Sequence, residues 1–307
     1  GCFYPGIYSG FFVTVCVCDP PWLVSGCPVE EFCLYHSSDT DSGHRFYRRK
    51  DQDDENFDQA EFLKKEPMSE KYFHPWYGAQ EFINRSPRWC LWLGECPPNE
   101  LQKMPYCMKR IKAVRDFRLS SKRTSTNKLA DTPTRFQTEN MPTGTYVVIP
   151  EVSSEKRKYI PMGYMDDTVL CSNKVRIMPN ATLYHFGILE SNVHMAWMRV
   201  VCGRLKSDYD YSIKIVYNNF PWPMHNEAQK EKIEQTAQGI LDARALYPDC
   251  SLAALYDEVT MPPELRKAHQ ANDRAVMQAY GFWGKLNTET ACVAELMKMY
   301  QKLTERG

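Results

Sequence analysis

The chain has 307 residues, of which 43% are hydrophobic and 25% are charged, and its formal net charge is zero. This length allows two domains, and the composition excludes an intrinsically disordered chain. Because the total charge is neutral, any binding of a polyanion must depend on positive charge gathered in one part of the fold.

Residues 1–56 differ from the remainder, and we predict an atypical leader and linker there. The apolar run at residues 8–18 is too short to span a bilayer and has no basic residue before it, so neither a membrane span nor a secretory signal is expected. Six side chains could be combined into a metal site, namely Cys16, Cys18, Cys27, Cys33, His36 and His44. No Cys-x-x-Cys pair occurs among the 12 cysteines, which favours free thiols in a reducing cytosol instead.

A short motif in the leader suggests one alternative function. An apolar stretch is followed by Asp19-Pro20-Pro21-Trp22, which is similar to the Asp/Asn-Pro-Pro-aromatic motif that holds a flipped base in amino-group DNA methyltransferases. No glycine-rich turn that would bind S-adenosylmethionine precedes it. A small standalone methyltransferase is therefore the weaker interpretation.

Residues 57–224 have the pattern of an α+β domain. Aromatic and β-branched runs predict strands at residues 88–93, 146–150, 158–162, 175–178 and 183–188. Apolar residues near helical spacing predict embedded helices at residues 105–123 and 191–202. We expect a mixed or antiparallel sheet with these helices embedded in it.

Positive charge is segregated within this region. Residues 101–128 contain nine lysines and arginines against Asp116 alone, and a second basic cluster is predicted in a turn at residues 156–158. Cations on one face, with hydroxyl donors nearby, suit contacts with DNA phosphates, although a solvated helix face and an ordinary polar turn explain the same residues. The phosphate-binding candidates are Lys109, Arg110, Arg115, Arg118, Lys122, Arg123, Lys156, Arg157, Lys158 and Arg204.

Residues 205–211 alternate between two classes of side chain, which predicts an extended segment with Lys206 and Asp208 on the same side. A lysine can donate to guanine and an aspartate can accept from cytosine N4, so the pair could read one G·C base pair. The alternative is a surface ion pair worth about 0–1 kcal/mol.

Residues 225–307 are predicted to form a small all-α domain. Successive amphipathic patterns indicate helices at residues 226–245, 251–256, 263–280 and 288–303. No candidate site is evident in them, and a helical protein-interaction module is a second alternative function.

Ten short segments follow one another in an order that is typical of a known enzyme family. They are residues 81–84, 88–93, 115–118, 130–133, 149–154, 158–161, 179–186, 194–197, 203–208 and 215–223. On these segments, the chain from residue 57 onward resembles the C-terminal half of MmeI-like DNA methyltransferases. Those bacterial restriction–modification enzymes combine a nuclease, an adenine-N6 methyltransferase and a target-recognition domain.

The resemblance implies that residues 57–224 bind double-stranded DNA and that Lys206 and Asp208 belong to the base-reading set. It implies a cytoplasmic protein whose partner is the methyltransferase domain of the same polypeptide. S-adenosylmethionine, and Mg²⁺ for any nuclease, would then serve the full-length enzyme, while this chain alone would hold no cofactor or metal and have no catalytic residue. Two positions depart from the family pattern, Asp210 where arginine is usual and Ile213 where a polar residue is usual.

Overall fold

The computed structural model describes residues 33–34, 59–136, 139 and 141–305, with only the backbone described at residues 33–34. The Asp19–Trp22 motif and the candidate metal ligands among the cysteines and histidines of residues 16–44 lie outside the described side chains. The predicted leader is likewise outside them apart from one short strand.

Ten strands form three small sheets in the part of the chain that the structure describes. The strands are β1 (Cys33–Leu34), β2 (Phe73–Tyr77), β3 (Arg88–Leu91), β4 (Tyr146–Pro150), β5 (Val152–Ser153), β6 (Gly163–Met165), β7 (Leu170–Cys171), β8 (Val175–Pro179), β9 (Gly203–Leu205) and β10 (Asp208–Asp210) among the described residues. Their orders are β1-β3-β2-β7, β6-β4-β8 and β5-β10-β9. All pairings are antiparallel except the parallel pair of β2 and β7, so the predicted mixed sheet architecture is confirmed.

Eleven α-helices are found in the described part of the chain. Those before residue 225 are α1 (Gln59–Lys65), α2 (Ala79–Asn84), α3 (Pro98–Leu101), α4 (Pro105–Ser120), α5 (Thr124–Lys128), α6 (Leu183–Leu189) and α7 (Asn192–Val201). The helices after it are α8 (Glu227–Ala245), α9 (Leu252–Leu255), α10 (Pro263–Ala279) and α11 (Glu289–Thr304). Two 3-10 turns (Pro67–Tyr72 and Leu129–Asp131) and a π-helical turn (Ile213–Tyr217) complete the list. The α+β fold with a helical C-terminal region is thereby confirmed.

The N-terminus of the basic helix α4 is capped by a residue far away in sequence. Met104, at the cap position, contributes no side-chain hydrogen bond. Instead the buried carboxylate of Glu66 accepts hydrogen bonds from the backbone amides of Tyr106 (3.2 Å) and Cys107 (2.7 Å). A carboxylate here satisfies amides that have no partner within the helix and lies at the positive end of the helix dipole.

The largest hydrophobic core extends through both halves of the chain. Val147 on β4 and Trp197 on α7 belong to the same buried cluster as Ile240, Val276 and Leu296 of the C-terminal helices. Two smaller clusters lie in the first half: one contains Phe62, Leu93, Cys107 and Ile111, and the other contains Trp76, Trp92 and Val114. The length of the chain allows two separate cores, but the main core is continuous across residue 225.

Two of the predicted strands are wrong. Residues 183–189 form helix α6, whose N-cap residue Thr182 forms a capping box with His185. A short apolar run is ambiguous between a buried strand and a buried helix, and here the cap decides it. Residues 158–162 form an irregular segment instead of a strand, because side chains from other elements take its backbone hydrogen bonds.

None of the helices in the described part of the chain is long and apolar enough to cross a membrane. The described cysteines are free thiols: Cys90, Cys96, Cys107, Cys171, Cys202, Cys250 and Cys292.

Candidate nucleic-acid interface

The segment that carries Lys206 and Asp208 is a hairpin, and the prediction of a continuous extended segment is wrong. Leu205 at the end of β9 pairs with Asp208 at the start of β10, so the chain reverses over Lys206 and Ser207. Lys206 has φ 58°, because a two-residue hairpin turn needs a residue in the left-handed conformation. Its side chain is exposed. Lys206 therefore lies at the tip and Asp208 on the adjoining strand.

Arg204 stabilises this hairpin from inside it. Its guanidinium carbon lies 4.1 Å from the centre of the Tyr209 ring, the residue opposite it on β10, and Nη1 donates to the Ser207 carbonyl oxygen at 2.8 Å. Tyr209 is buried in the main core. The tip is therefore fixed to the protein through one aromatic ring, and Arg204, although exposed, is engaged in protein contacts.

The second basic cluster lies beside the hairpin. We call residues 154–162 the basic loop. It follows β5, in which Ser153 pairs with Tyr209 of β10. The backbone amide of Glu155 donates to Asp208 Oδ1 at 3.4 Å, and the carboxylate of Glu155 lies 3.7 Å from Arg204 Nη1. The structure thus places the cations of residues 156–158 next to the Lys206–Asp208 pair. In the sequence the two are separate patterns.

The three cations of the basic loop differ in exposure. Lys156 and Lys158 are exposed, whereas Arg157 is half-buried. Burial lowers the pKa of Arg157, and the nearby carboxylates Asp208 and Asp257 oppose that shift. Arg157 therefore already lies in an acidic environment of its own, and the two lysines are the groups that face solvent.

The cations around α4 lie on another part of the fold. Helix α4 packs Ile111 and Val114 into the two smaller clusters. Among the predicted candidates on α4 and just after it, the exposed ones are Lys109, Arg115, Lys122 and Arg123, while Arg110 is half-buried. Tyr209 of the hairpin packs into the main core instead, so the structure divides the predicted cations into two groups.

Arg118 is not available to a phosphate, and its inclusion among the candidates is wrong. The side chain is 1% exposed. Its guanidinium donates to the carbonyl oxygens of Leu129 (2.9 Å), Thr132 (3.0 Å) and Arg135 (2.9 Å). It therefore holds the segment after α5 against α4 and has a structural role.

The two positions that depart from the family pattern are also accounted for. Asp210 lies within the three-stranded sheet, paired with Val152 on one side and Gly203 on the other, and is half-buried. Ile213 begins the π-helical turn and packs against the main core.

Glu155 contacts both Arg204 and Asp208 but is not among the residues predicted from the sequence, because no spacing pattern marks it.

No metal centre is found among the residues that the structure describes. Within them no group of three or more His, Cys, Asp or Glu side chains could hold a metal ion.

Comparisons with known proteins place this geometry in context. The model of the MmeI target recognition domain matches residues 49–224, and that of the MmeI C-terminal domain matches residues 225–306. DNA methyltransferase A of Bacillus subtilis (strain 168) is 39% identical over 244 residues, which cover 80% of this chain and 28% of the relative. A solved structure of the type IIL restriction-modification enzyme MmeI in complex with DNA is 48% identical with a TM-score of 0.78, covering 80% of this chain and 33% of the other. The chain thus spans a third or less of these two relatives.

Proposed function

This chain belongs to the MmeI family, and we propose that it is the DNA-recognition part of a restriction–modification methyltransferase of the bacterial cytoplasm. It would hold a specific duplex sequence so that a methyltransferase domain of the same polypeptide can methylate an adenine at N6. S-adenosylmethionine would bind to that methyltransferase domain. Mg²⁺ would bind to a nuclease domain, where one is present. The residues of this chain would contribute binding and no bond-breaking step.

One observation carries the proposal. An exposed hairpin tip and a loop with two exposed lysines adjoin the same small sheet, β5-β10-β9, and the backbone amide of Glu155 in the loop donates to Asp208 of the hairpin. Recognition of a duplex needs both components, since phosphate contacts fix the register and groups that reach base edges supply the specificity. A two-stranded ribbon is narrow enough to enter the major groove.

The backbone at the hairpin tip supports a recognition role. Lys206 is in the left-handed region, which costs an L-residue without a short polar side chain about 1–2 kcal/mol. Strained residues of this kind cluster at ligand-binding sites. In this position Lys206 would donate to guanine O6 or N7, and Asp208 would accept from cytosine N4, which gives about 1–3 kcal/mol of discrimination against a wrong base pair.

Phosphate contacts are assigned to the exposed cations only. In the basic loop these are Lys156 and Lys158. Around α4 the exposed candidates are Lys109, Arg115, Lys122 and Arg123. We assign no phosphate to the buried Arg118, and we rank the half-buried Arg110 and Arg157 and the engaged Arg204 below the others.

The proposal is tested by duplex affinity measured against salt concentration. Each phosphate contact contributes about −0.9 to the slope of log K against log salt. The double variant Lys156→Ala/Lys158→Ala should therefore reduce the slope by about 2, whereas Lys302→Ala, at an exposed position of α11, should leave it unchanged. An affinity of the unsubstituted protein that is independent of salt would refute the proposal.

Base reading has a separate test. The exchange Lys206→Glu with Asp208→Arg should change which base pair is preferred at one position, measured on a set of duplexes that vary one base pair at a time. Loss of binding to all duplexes with no change in preference would assign the pair a structural role instead.

A further inference from the structure

The basic loop has little backbone structure of its own. Within residues 154–162 one backbone–backbone hydrogen bond is described, from Arg157 N to Ser154 O at 3.1 Å. At its start the loop continues from β5, which pairs with the hairpin strand β10. The remainder of the loop depends on side chains from other elements, several of which belong to the helices after residue 225 or are paired with them.

The first anchor is Tyr159, which follows directly after Lys158. Its ring is 2% exposed and stacks on His269 of α10, with 4.1 Å between the ring centres. Its hydroxyl donates to Asp273 Oδ2 at 2.6 Å, and the other oxygen of that carboxylate accepts from the backbone amide of Asn192, at the start of α7, at 2.7 Å. Asp273 therefore ties the loop and the start of α7 to the same point on α10.

The second anchor holds the backbone on each side of Tyr159. Arg199 Nη2 donates to the carbonyl oxygen of Lys158 at 2.5 Å, and its Nη1 pairs with Glu289 of α11 at 3.0 Å. Further along, the amide of Met162 donates to the buried Glu190 at 2.7 Å, which is itself paired with Arg244 of α8 at 2.7 Å.

The exposed lysines are thus carried by a segment that the C-terminal helices hold directly, through His269 and Asp273, and indirectly, through their ion pairs with Arg199 and Glu190. We propose that Tyr159 and Asp273 are positioning residues for DNA binding, which hold Lys156 and Lys158 beside the hairpin in the register that the phosphates require. The inference rests on the proposed function and gives the C-terminal helices a role in recognition. Without these anchors the lysines would keep their charge but lose their register on the phosphates, so that their contacts, and the affinity these supply, would be lost.

The variant Tyr159→Phe tests this with little disturbance, because it removes the hydroxyl and keeps the ring that stacks on His269. Affinity for duplex should fall several-fold, and the salt slope should shrink by about 1 to 2, the part that two lysines supply. In the Lys156→Ala/Lys158→Ala background, Tyr159→Phe should have no further effect on affinity, because it acts through those lysines.

Tyr280→Phe is the matched control. The Tyr280 hydroxyl also joins the two halves of the chain, donating to the Pro221 carbonyl oxygen at 2.8 Å, but it makes no described contact with the basic loop. It should lower the melting temperature about as much as Tyr159→Phe does while leaving duplex affinity and salt slope unchanged.

Trypsin offers a measurement that needs no DNA, since it cleaves after lysine and arginine. Tyr159→Phe, and Asp273→Asn as a second variant, should speed cleavage within residues 156–158 relative to the unsubstituted protein and to Tyr280→Phe. Unchanged cleavage in both variants would overturn the inference.

The binding results separate the two proposals. If Lys156→Ala/Lys158→Ala weakens binding but Tyr159→Phe does not, or if the losses are simply additive, the positioning role is refuted and the proposed function stands. If the unsubstituted protein fails to bind duplex, both fall.

Discussion

Replacing Arg118 by methionine separates a structural arginine from Arg115 on the same helix, which we propose contacts a phosphate. The substitution keeps a long side chain but removes the guanidinium that donates to the carbonyl oxygens of Leu129, Thr132 and Arg135. We expect the segment after α5 to lose its attachment to α4. The free energy of unfolding should therefore fall in the absence of DNA.

The expected magnitude follows from those three hydrogen bonds. A hydrogen bond to a charged group contributes about 1.5–3 kcal/mol net, and the lower end applies because these contacts are only partly buried and water can replace the lost donor. We therefore expect Arg118→Met to lower the free energy of unfolding by about 3–5 kcal/mol, a large part of the roughly 5–15 kcal/mol typical of a domain.

Urea denaturation followed by tryptophan fluorescence measures this loss. Trp92 stacks on Phe136 with 4.6 Å between ring centres, next to the carbonyl that accepts from Arg118, so its emission reports on the attached segment. Arg115→Met is the control, since that exposed arginine lies one turn earlier on α4 and its loss should change stability by only about 0.5 kcal/mol. Equal stability of the two variants would refute the structural role of Arg118.

Three further predictions concern other buried contacts. Glu66→Ala should destabilise the protein by about 1–2 kcal/mol, measured by urea denaturation, because α4 loses its N-terminal cap. Gly187→Ala should cost about 1–3 kcal/mol in the same assay, because its Cβ would lie 2.8 Å from Ile233 Cγ2. Burial lowers the pKa of His194 to about 3, so the unfolded chain takes up a proton as pH falls below about 6.5 while the folded one does not. Stability should therefore decline from pH 7.5 to pH 5 by about 2 kcal/mol more than in His194→Gln, and equal declines would contradict this.

The helices were the most predictable part of the fold. The apolar periodicity of residues 226–303 is sufficient to locate the helices, because each of them buries one face. Each also has a local start signal, such as Asn226, Ser251 or Thr288. Residues 158–162 and 183–188 were misassigned as strands because they are nearly all apolar, and a fully buried segment has no periodicity to read.

The candidate site was predictable in its residues but not in its arrangement. The turn at Lys206 depends on the pairing of β9 with β10, which the alternation of residues 205–211 does not reveal. Its closeness to the basic loop depends on the pairing of β5 (Val152–Ser153) with β10 (Asp208–Asp210), strands that are distant in sequence. Arg118, in contrast, could have been recognised. It continues the buried row Cys107, Ile111 and Val114 at helical spacing, which marks it as facing the core.

The continuous core has a consequence for how this kind of protein can be recombined. Side chains such as Ile240 and Leu265 fill the same interior volume as Val148 and Trp197, so a cut at residue 225 would open a hydrophobic face on both products. A chimera that joins the first half of one relative to the second half of another must match its interior packing at every such position. Exchange of the two halves together, as a single cassette, avoids that requirement. Recombination between related genes should therefore favour crossovers outside the segment that encodes both halves.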